Sequence, residues 1–295
     1  MQLLDGKATA TFFKEHIRTE ALKLLEKNGK KPHLAAVLVG NDGASQTYVA
    51  HKIRACAEVS FHSSLIEFDD TIAESELLEK VDELNQNQDI DGFIVQLPLP
   101  KQIDVNKVIQ AVDYRKDVDG FHPLNIGRMV KNLPCLLPAT PLGIVMLLEH
   151  YKLETAGKHV LVIGRSMIVG TPISLMLSRD TYPGNATVTL AHRYSDQEHM
   201  KELSAEADII ITAVGIPGFL GPDMVKEGAV LIDVGTTRVP DATRKSGYRL
   251  RGDMQFEALK EKCSAMTPVP GGVGPMTITA LLLNTLRAAK QEIFA

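Results

Sequence analysis

Short apolar runs bounded by glycine, proline and asparagine alternate along this chain with longer segments whose apolar residues return at helical spacing. LAAVLV at 34–39, a run at 64–68 and GFIVQ at 92–96 predict three strands. Residues 160–163, 187–191, 208–214 and 229–234 predict four more. Between them, helices are predicted at 9–26, around Tyr48 to Cys56, and at 74–85, 105–111, 142–150, 170–177, 196–205 and 276–291. The first gathers Phe12, Phe13, Ile17, Leu22, Leu24 and Leu25 near helical spacing, and Asn28-Gly29 ends it. Ser45 is the expected N-cap of the second. Strand–helix alternation predicts parallel sheets with right-handed crossovers. The Gly- and Pro-rich stretch 116–141 reads as irregular and as the exit from a first domain. The fold expected is α/β in two domains with a cleft between them. One is an N-terminal α/β domain with a parallel sheet, 1–140 plus 275–295. The other, 141–274, is a second α/β domain of successive βαβ units.

Composition narrows the function. At 295 residues the chain is long enough to bury a large core without disulfide staples. A net charge of −4 argues against nucleic acid as the main partner. No apolar stretch approaches the ~20 residues of a membrane span, and the start shows no secretory pattern. The three cysteines, Cys56, Cys135 and Cys263, lack metal or redox spacing, so no metal is expected and the cytoplasm is the predicted compartment.

The sharpest local signal is KHVLVIGRSMIVGTP at 158–172, a buried strand running through a glycine turn into a helix. Backbone N–H groups and a helix N-terminus at such a turn suit a phosphate. The dinucleotide pattern G-x-G-x-x-G is imperfect here: Ser166 replaces the middle glycine and Gly170 closes one residue late. An ordinary strand–turn–helix connection is the plain alternative. The second strand of this series, TVTLA, ends in His192-Arg193 rather than in the carboxylate that would bind an adenine ribose hydroxyl. Arg193, with Arg165 just past the turn, could hold a ribose 2′-phosphate, so the predicted cofactor is NADP rather than NAD, and 141–274 reads as a Rossmann-like NADP-binding domain.

A second group of candidates lies in the first domain. Tyr48 and Lys52 are four residues apart and share a helical face. Gln96 ends the strand GFIVQ, and ligands gather at the carboxyl ends of strands in open α/β sheets. Asp119, in KDVDG, could present a carboxylate to an amino-heterocycle or simply stabilise its own turn. PVPGGVGPMT, at 268–277, joins stiff prolines to glycines that permit close backbone approach, and Pro275 suits a first helical turn.

YVAHK, VQLPLP, KDVDGFHPLNIG, PATPLG, GRSMIVGTP and TPVPGGVGPMT occur in one order over essentially the whole chain. In this the sequence resembles the bifunctional methylenetetrahydrofolate dehydrogenase/methenyltetrahydrofolate cyclohydrolases. The resemblance implies an NADP-linked dehydrogenase and a cyclohydrolase sharing one cleft, with tetrahydrofolate derivatives as substrates, usually as a homodimer. It implies that Lys52 is the catalytic lysine, assisted by Gln96, with Tyr48 packing along the folate. It implies that Asp119, with Pro270, Gly271 and Gly272, binds the substrate. It places Gly164, Arg165, Ser166, Val169, Gly170, Arg193, Thr236 and Thr277 at the cofactor. Many members read Pro-Cys-Thr-Pro where this chain has Pro138-Ala139-Thr140-Pro141, which excludes covalent catalysis through a cysteine there. An NAD(P)-dependent amino-acid dehydrogenase and a non-catalytic NADP-binding sensor are the rival readings. The intact set Tyr48, Lys52, Gln96 and Asp119 weighs against the sensor.

Overall fold

The computed structural model describes residues 1–244 and 247–294; Ala295, the last residue of the predicted first domain, lies outside them. In chain order the elements are β1 (Gln2–Leu3), α1 (Gly6–Asn28), β2 (His33–Val39), α2 (Gly43–Glu58), β3 (His62–Phe68), α3 (Glu74–Gln86) and β4 (Gly92–Val95). Then come α4 (Val105–Ala111), α5 (Pro123–Val130), α6 (Ala139–His150), β5 (His159–Ile163), α7 (Gly170–Ser178), β6 (Thr187–Ala191) and α8 (Gln197–Glu206). The last are β7 (Ile209–Thr212), β8 (Val230–Asp233), β9 (Thr237–Pro240), β10 (Tyr248–Arg251), α9 (Phe256–Leu259), β11 (Ala265–Met266) and α10 (Val273–Ala289). The chain divides into two compact units, one of Met1–Ala10 with Thr140–Thr277, the other of Thr11–Ala139 with Ile278–Ala295.

The unit containing Thr11–Ala139 is built on a three-stranded parallel sheet in the order β3-β2-β4. Six successive residues of β2, Leu34 to Val39, are buried. An unbroken apolar run is what a central parallel strand covered on both faces requires. Phe93, Leu77, Val81 and Val108 close the core on one side. Gly92 opens β4 because a Cβ there would stand 2.2 Å from Val118 Cγ1. That close approach seats the segment 116–120 directly beside the strand.

The other unit carries a six-stranded parallel sheet in the order β1-β11-β8-β7-β5-β6. The four residues of β5 after the partly covered His159, and all four of β7, follow the same buried pattern. The chain leaves β5 for β6 on one side and returns to β7 on the other. The order of strands therefore reverses between β5 and β7, where such sheets form a ligand crevice at their carboxyl ends. An antiparallel hairpin, β9 with β10, stands apart from this sheet.

Several expectations need correction. The first residues were assigned to the first domain, yet β1 pairs with β11 in the six-stranded sheet. Ser45 is not the N-cap of α2; Asp42 is, and Ser45 donates both its N–H and its hydroxyl to the Asp42 carboxylate. The stretch 116–141 contains a helix, α5, capped by His122 with Pro123 in its first turn. In α1 the buried stripe is Ala10, Ile17 and Ala21, while Phe12 and Leu22 are exposed. Small residues set that face, and bulk alone misled the reading.

Candidate functional site

The buried face of α2 is Ser45, Val49, Lys52 and Cys56, at spacings of one helical turn. Lys52 thus occupies a core position, with 4% of its surface exposed. Its Nζ donates to Gln96 Oε1 at 3.1 Å and lies 4.9 Å from the centre of the Tyr48 ring. Gln96 is fixed at the end of β4 by its own N–H, which donates to Val37 O at 2.9 Å. Its side-chain amide donates to Leu97 O at 2.7 Å, which leaves the oxygen facing the lysine. One neutral acceptor and one ring offer little compensation for a buried ammonium. Burial accordingly pushes the Lys52 amine below the usual lysine range, with the Asp119 carboxylate pulling the other way.

Asp119 sits on a turn that is held from four directions. Phe93 N–H donates to Lys116 O at 3.0 Å, tying the turn to β4. The Asp117 carboxylate accepts from the N–H groups of Gly120, Phe121 and His122 and from Asn125 Nδ2, at 3.2, 3.2, 2.8 and 2.9 Å. Asn284, on α10, donates to both Val118 O and Leu137 O, at 2.9 and 2.8 Å. Ala139 N–H donates to Asp119 O at 3.1 Å. Asp117 is therefore the carboxylate that stabilises the turn. No hydrogen bond among the described residues uses the half-buried carboxylate of Asp119, which borders an open recess with Val95, Leu97 and Phe121. Burial raises its pKa and Lys52 lowers it. Asp117, Asn125 and Asn284 were not singled out in the sequence. The doubled acid in KDVDG was the available signal for the first of them.

The second cluster belongs to the other unit, at the carboxyl ends of β5 and β6. Gly164 has φ +119°, and a Cβ there would meet Ala213 O at 2.3 Å. A Cβ on Gly170 would meet Gly164 O at 1.7 Å, so the first turn of α7 packs onto the glycine turn itself. Ser166 Oγ accepts from the N–H groups of Val169 and Gly170, at 3.2 and 3.5 Å, and so caps α7. Among the described residues, the N–H groups of Arg165, Ser166, Met167 and Ile168 donate to no protein acceptor. Arg165 and Arg193 converge on one ring, their guanidinium carbons 5.7 and 4.8 Å from the centre of Tyr194. Four unspent N–H groups and two cations suit an anionic dinucleotide. Thr236 follows β8 and is exposed. The Thr277 hydroxyl lies 3.0 Å from that of Thr140 and donates to Val273 O. Pro270, Gly271 and Gly272 also belong to this unit, where Lys7 N–H donates to Gly271 O at 3.1 Å. No described group of three His, Cys, Asp or Glu residues could hold a metal ion, and no described helix is long and apolar enough to cross a membrane.

Two family models match, the catalytic domain of tetrahydrofolate dehydrogenase/cyclohydrolase over residues 4–119 and its NAD(P)-binding domain over 138–293. The bifunctional protein FolD of Phocaeicola vulgatus is 57% identical over 294 residues, covering 100% of both chains. The chain belongs to the tetrahydrofolate dehydrogenase/cyclohydrolase family. Its fold is correspondingly close to solved members. The bifunctional FolD enzyme of Campylobacter jejuni is 41% identical with a TM-score of 0.92, covering 99% of each chain. The FolD of Trypanosoma brucei, solved with NADP cofactor and an inhibitor, is 34% identical with a TM-score of 0.93, covering 99% of this chain and 98% of that one. Within this family member, the Lys52 cluster falls inside the catalytic-domain match and the glycine turn inside the NAD(P)-binding match.

The two acids of KDVDG should separate cleanly in urea denaturation. Asp117→Asn turns an amide toward backbone donors and is expected to cost about 2 kcal/mol, in the range for a buried unsatisfied group. Asp119→Asn should change stability by less than about 1 kcal/mol, because no hydrogen bond is lost.

Proposed function

We propose that the protein oxidises 5,10-methylenetetrahydrofolate to 5,10-methenyltetrahydrofolate with NADP⁺ and hydrolyses that product to 10-formyltetrahydrofolate. Family membership supports the pair of reactions. The observation that carries the second reaction is a buried lysine amine whose pKa lies below normal, hydrogen-bonded to Gln96. The folate chemistry is assigned to the unit holding Thr11–Ala139, and the coenzyme to the unit holding Thr140–Thr277.

NADP⁺ supplies the hydride acceptor of the oxidation. For that step the protein's task is to bind and orient, because nitrogen lone pairs stabilise the methenyl cation as the hydride leaves. Tyr48 offers a ring for the folate to pack along. The unspent Asp119 carboxylate can accept from two N–H groups of the pterin. Pro270, Gly271 and Gly272, which belong to the coenzyme unit, are the remaining candidate substrate contacts.

Hydrolysis needs proton transfer, and Lys52 is the group suited to it. Burial has already lowered its pKa, and a methenyl cation beside it lowers it further by charge repulsion. Water attacks the methenyl carbon, a C–O bond forms, and the neutral amine takes a proton from that water. The carbon–N5 bond then breaks, N5 gains a proton, and the hydroxyl proton leaves as the formyl carbonyl forms. The sum is one water consumed and one proton released. Gln96 holds the amine in place throughout.

For the coenzyme, Arg165 and Arg193 would hold the ribose 2′-phosphate over Tyr194, and the turn Gly164–Ser166, with Val169 and Gly170 behind it, would receive the pyrophosphate. Thr236 and Thr277 are further candidate contacts of the coenzyme. We further infer a homodimer in the cytoplasm with no nucleic-acid partner. Three buried cysteines that form no disulfide among the described residues and a net charge of −4 support the last two points.

Lys52→Met should abolish hydrolysis of methenyltetrahydrofolate while NADP⁺ still binds; normal hydrolysis, followed by loss of methenyl absorbance, would remove Lys52 from the chemistry. Arg193→Ser should raise the KM for NADP⁺ by about tenfold, as expected for losing ~1.4 kcal/mol, and leave that for NAD⁺ nearly unchanged. Equal effects on both coenzymes would contradict the 2′-phosphate assignment.

A further inference from the structure

Two carboxylates that the reactions above do not use are buried beneath the crevice between β5 and β7. Asp233 ends β8 with 4% of its surface exposed, and Asp253, two residues past β10, is fully buried. Among the described residues no cation pairs with either; both accept mainly from backbone, with the Thr212 hydroxyl also 3.5 Å from Asp233 Oδ1. Asp233 accepts from the N–H groups of Gly235, Asp253 and Met254, at 3.0, 2.9 and 2.9 Å. Asp253 in turn accepts from the N–H groups of Val214, Gly215 and Ile216, at 2.8, 3.3 and 2.9 Å. The two glycines flanking this relay leave no room for a side chain. A Cβ on Gly252 would lie 2.0 Å from Asp233 Oδ2, and one on Gly235 would lie 2.3 Å from Asp253 Oδ1. Burial, with the neighbouring Asp253 adding to it, raises the Asp233 carboxyl to about 6.

The segment these acids hold is the one that leaves β7. Ala213 O packs under Gly164, so this segment and the glycine turn form the two lips of the crevice. Ile216 presents an apolar side chain that is 54% exposed. A dinucleotide crossing such a crevice with its adenine end over β6, where the two arginines stand, puts its other half over β7. Further ties come from Thr237 Oγ1, which donates to Gly215 O at 3.2 Å, and from Gln255 Nε2, which donates to Gly218 O at 2.9 Å. A buried acid is costly unless its hydrogen bonds are made; the backbone bonds of Asp253 go to the crevice lip, and those of Asp233 go to the segment that carries Asp253.

We propose that Asp253 is a positioning residue for the dehydrogenase reaction: it fixes residues 214–216 as the seat of the nicotinamide half of the coenzyme, and Asp233 holds Asp253 in register. This rests on the NADP-dependent reading given above. Asp253 touches no reacting atom; it acts through the backbone it orders, so that binding does not have to supply that order.

The test is Asp253→Asn assayed for both reactions. An amide of the same size turns N–H groups toward backbone N–H donors. The KM for NADP⁺ should rise at least about tenfold, and the ratio of dehydrogenase to cyclohydrolase efficiency should fall with it, since hydrolysis of added methenyltetrahydrofolate consumes no coenzyme. An unchanged KM in a folded variant, or equal loss of both activities, would overturn the proposal. Wild-type protein that reduces no NADP⁺ would instead sink the functional reading on which it rests. Should the variant not fold, hydrogen exchange on the coenzyme-free wild type decides. The amides of Val214 and Ile216 are expected to be protected as well as those of β7, and exchange at loop-like rates would refute the pre-ordered seat.

Discussion

A lysine amine on the inner stripe of a helix, with an amide oxygen as its hydrogen-bond acceptor, is the arrangement on which the rest of this structure turns. A buried ammonium without a close counter-ion is costly, and a protein can meet that cost most easily by letting the amine lose its proton. Lys52 is in that position because α2 places it between Val49 and Cys56, against the end of β4. The same geometry that makes the charged residue unfavourable for stability lowers its pKa, which is what the proposed role as a base asks of it. The Asp119 carboxylate opposes that shift only in part, and burial remains the larger influence.

Around that amine the protein invests heavily in fixed backbone. The turn bearing Asp119 is secured by Asp117, Asn125, Asn284 and Ala139. Every one of those contacts ends on main chain or on another anchor, and none on the Asp119 carboxylate. The other unit repeats the pattern with Asp233 and Asp253 under the crevice lip. In both places one acid is consumed by the scaffold so that a neighbouring group can be presented with its hydrogen-bonding capacity intact. Pre-ordered groups of this kind serve binding better than flexible ones because less entropy is lost when substrate arrives.

Much of this was legible in the sequence, for a physical reason. Central strands of parallel sheets are buried on both faces, so β2, β5 and β7 read as short apolar runs bounded by turn residues. Tyr48 and Lys52 share a helical face by spacing alone, and Gln96 follows a strand end. What escaped were features whose cause lies far away in the chain. β1 and β11 are two residues each and exist only because β8 offers an edge to pair with. The hairpin β9–β10 does alternate, with every second residue partly buried, but four residues per strand are too few for that pattern to stand out in the sequence. Asp117 and Asp119 cannot be told apart by type; only the fold decides which carboxylate meets four donors and which meets none. The identity of the site came from motif order over the whole chain rather than from any one of these residues.

The central claim concerns the charge state of one nitrogen, and it can be observed directly. Selective nitrogen-15 labelling of lysine side chains would allow the Lys52 Nζ to be titrated by NMR in the free protein, with Lys52→Met to assign its signal. The account predicts a midpoint clearly below the ~10.4 of ordinary lysines, with the other lysines of the chain titrating above it. A Lys52 midpoint at or above the ordinary value would contradict it.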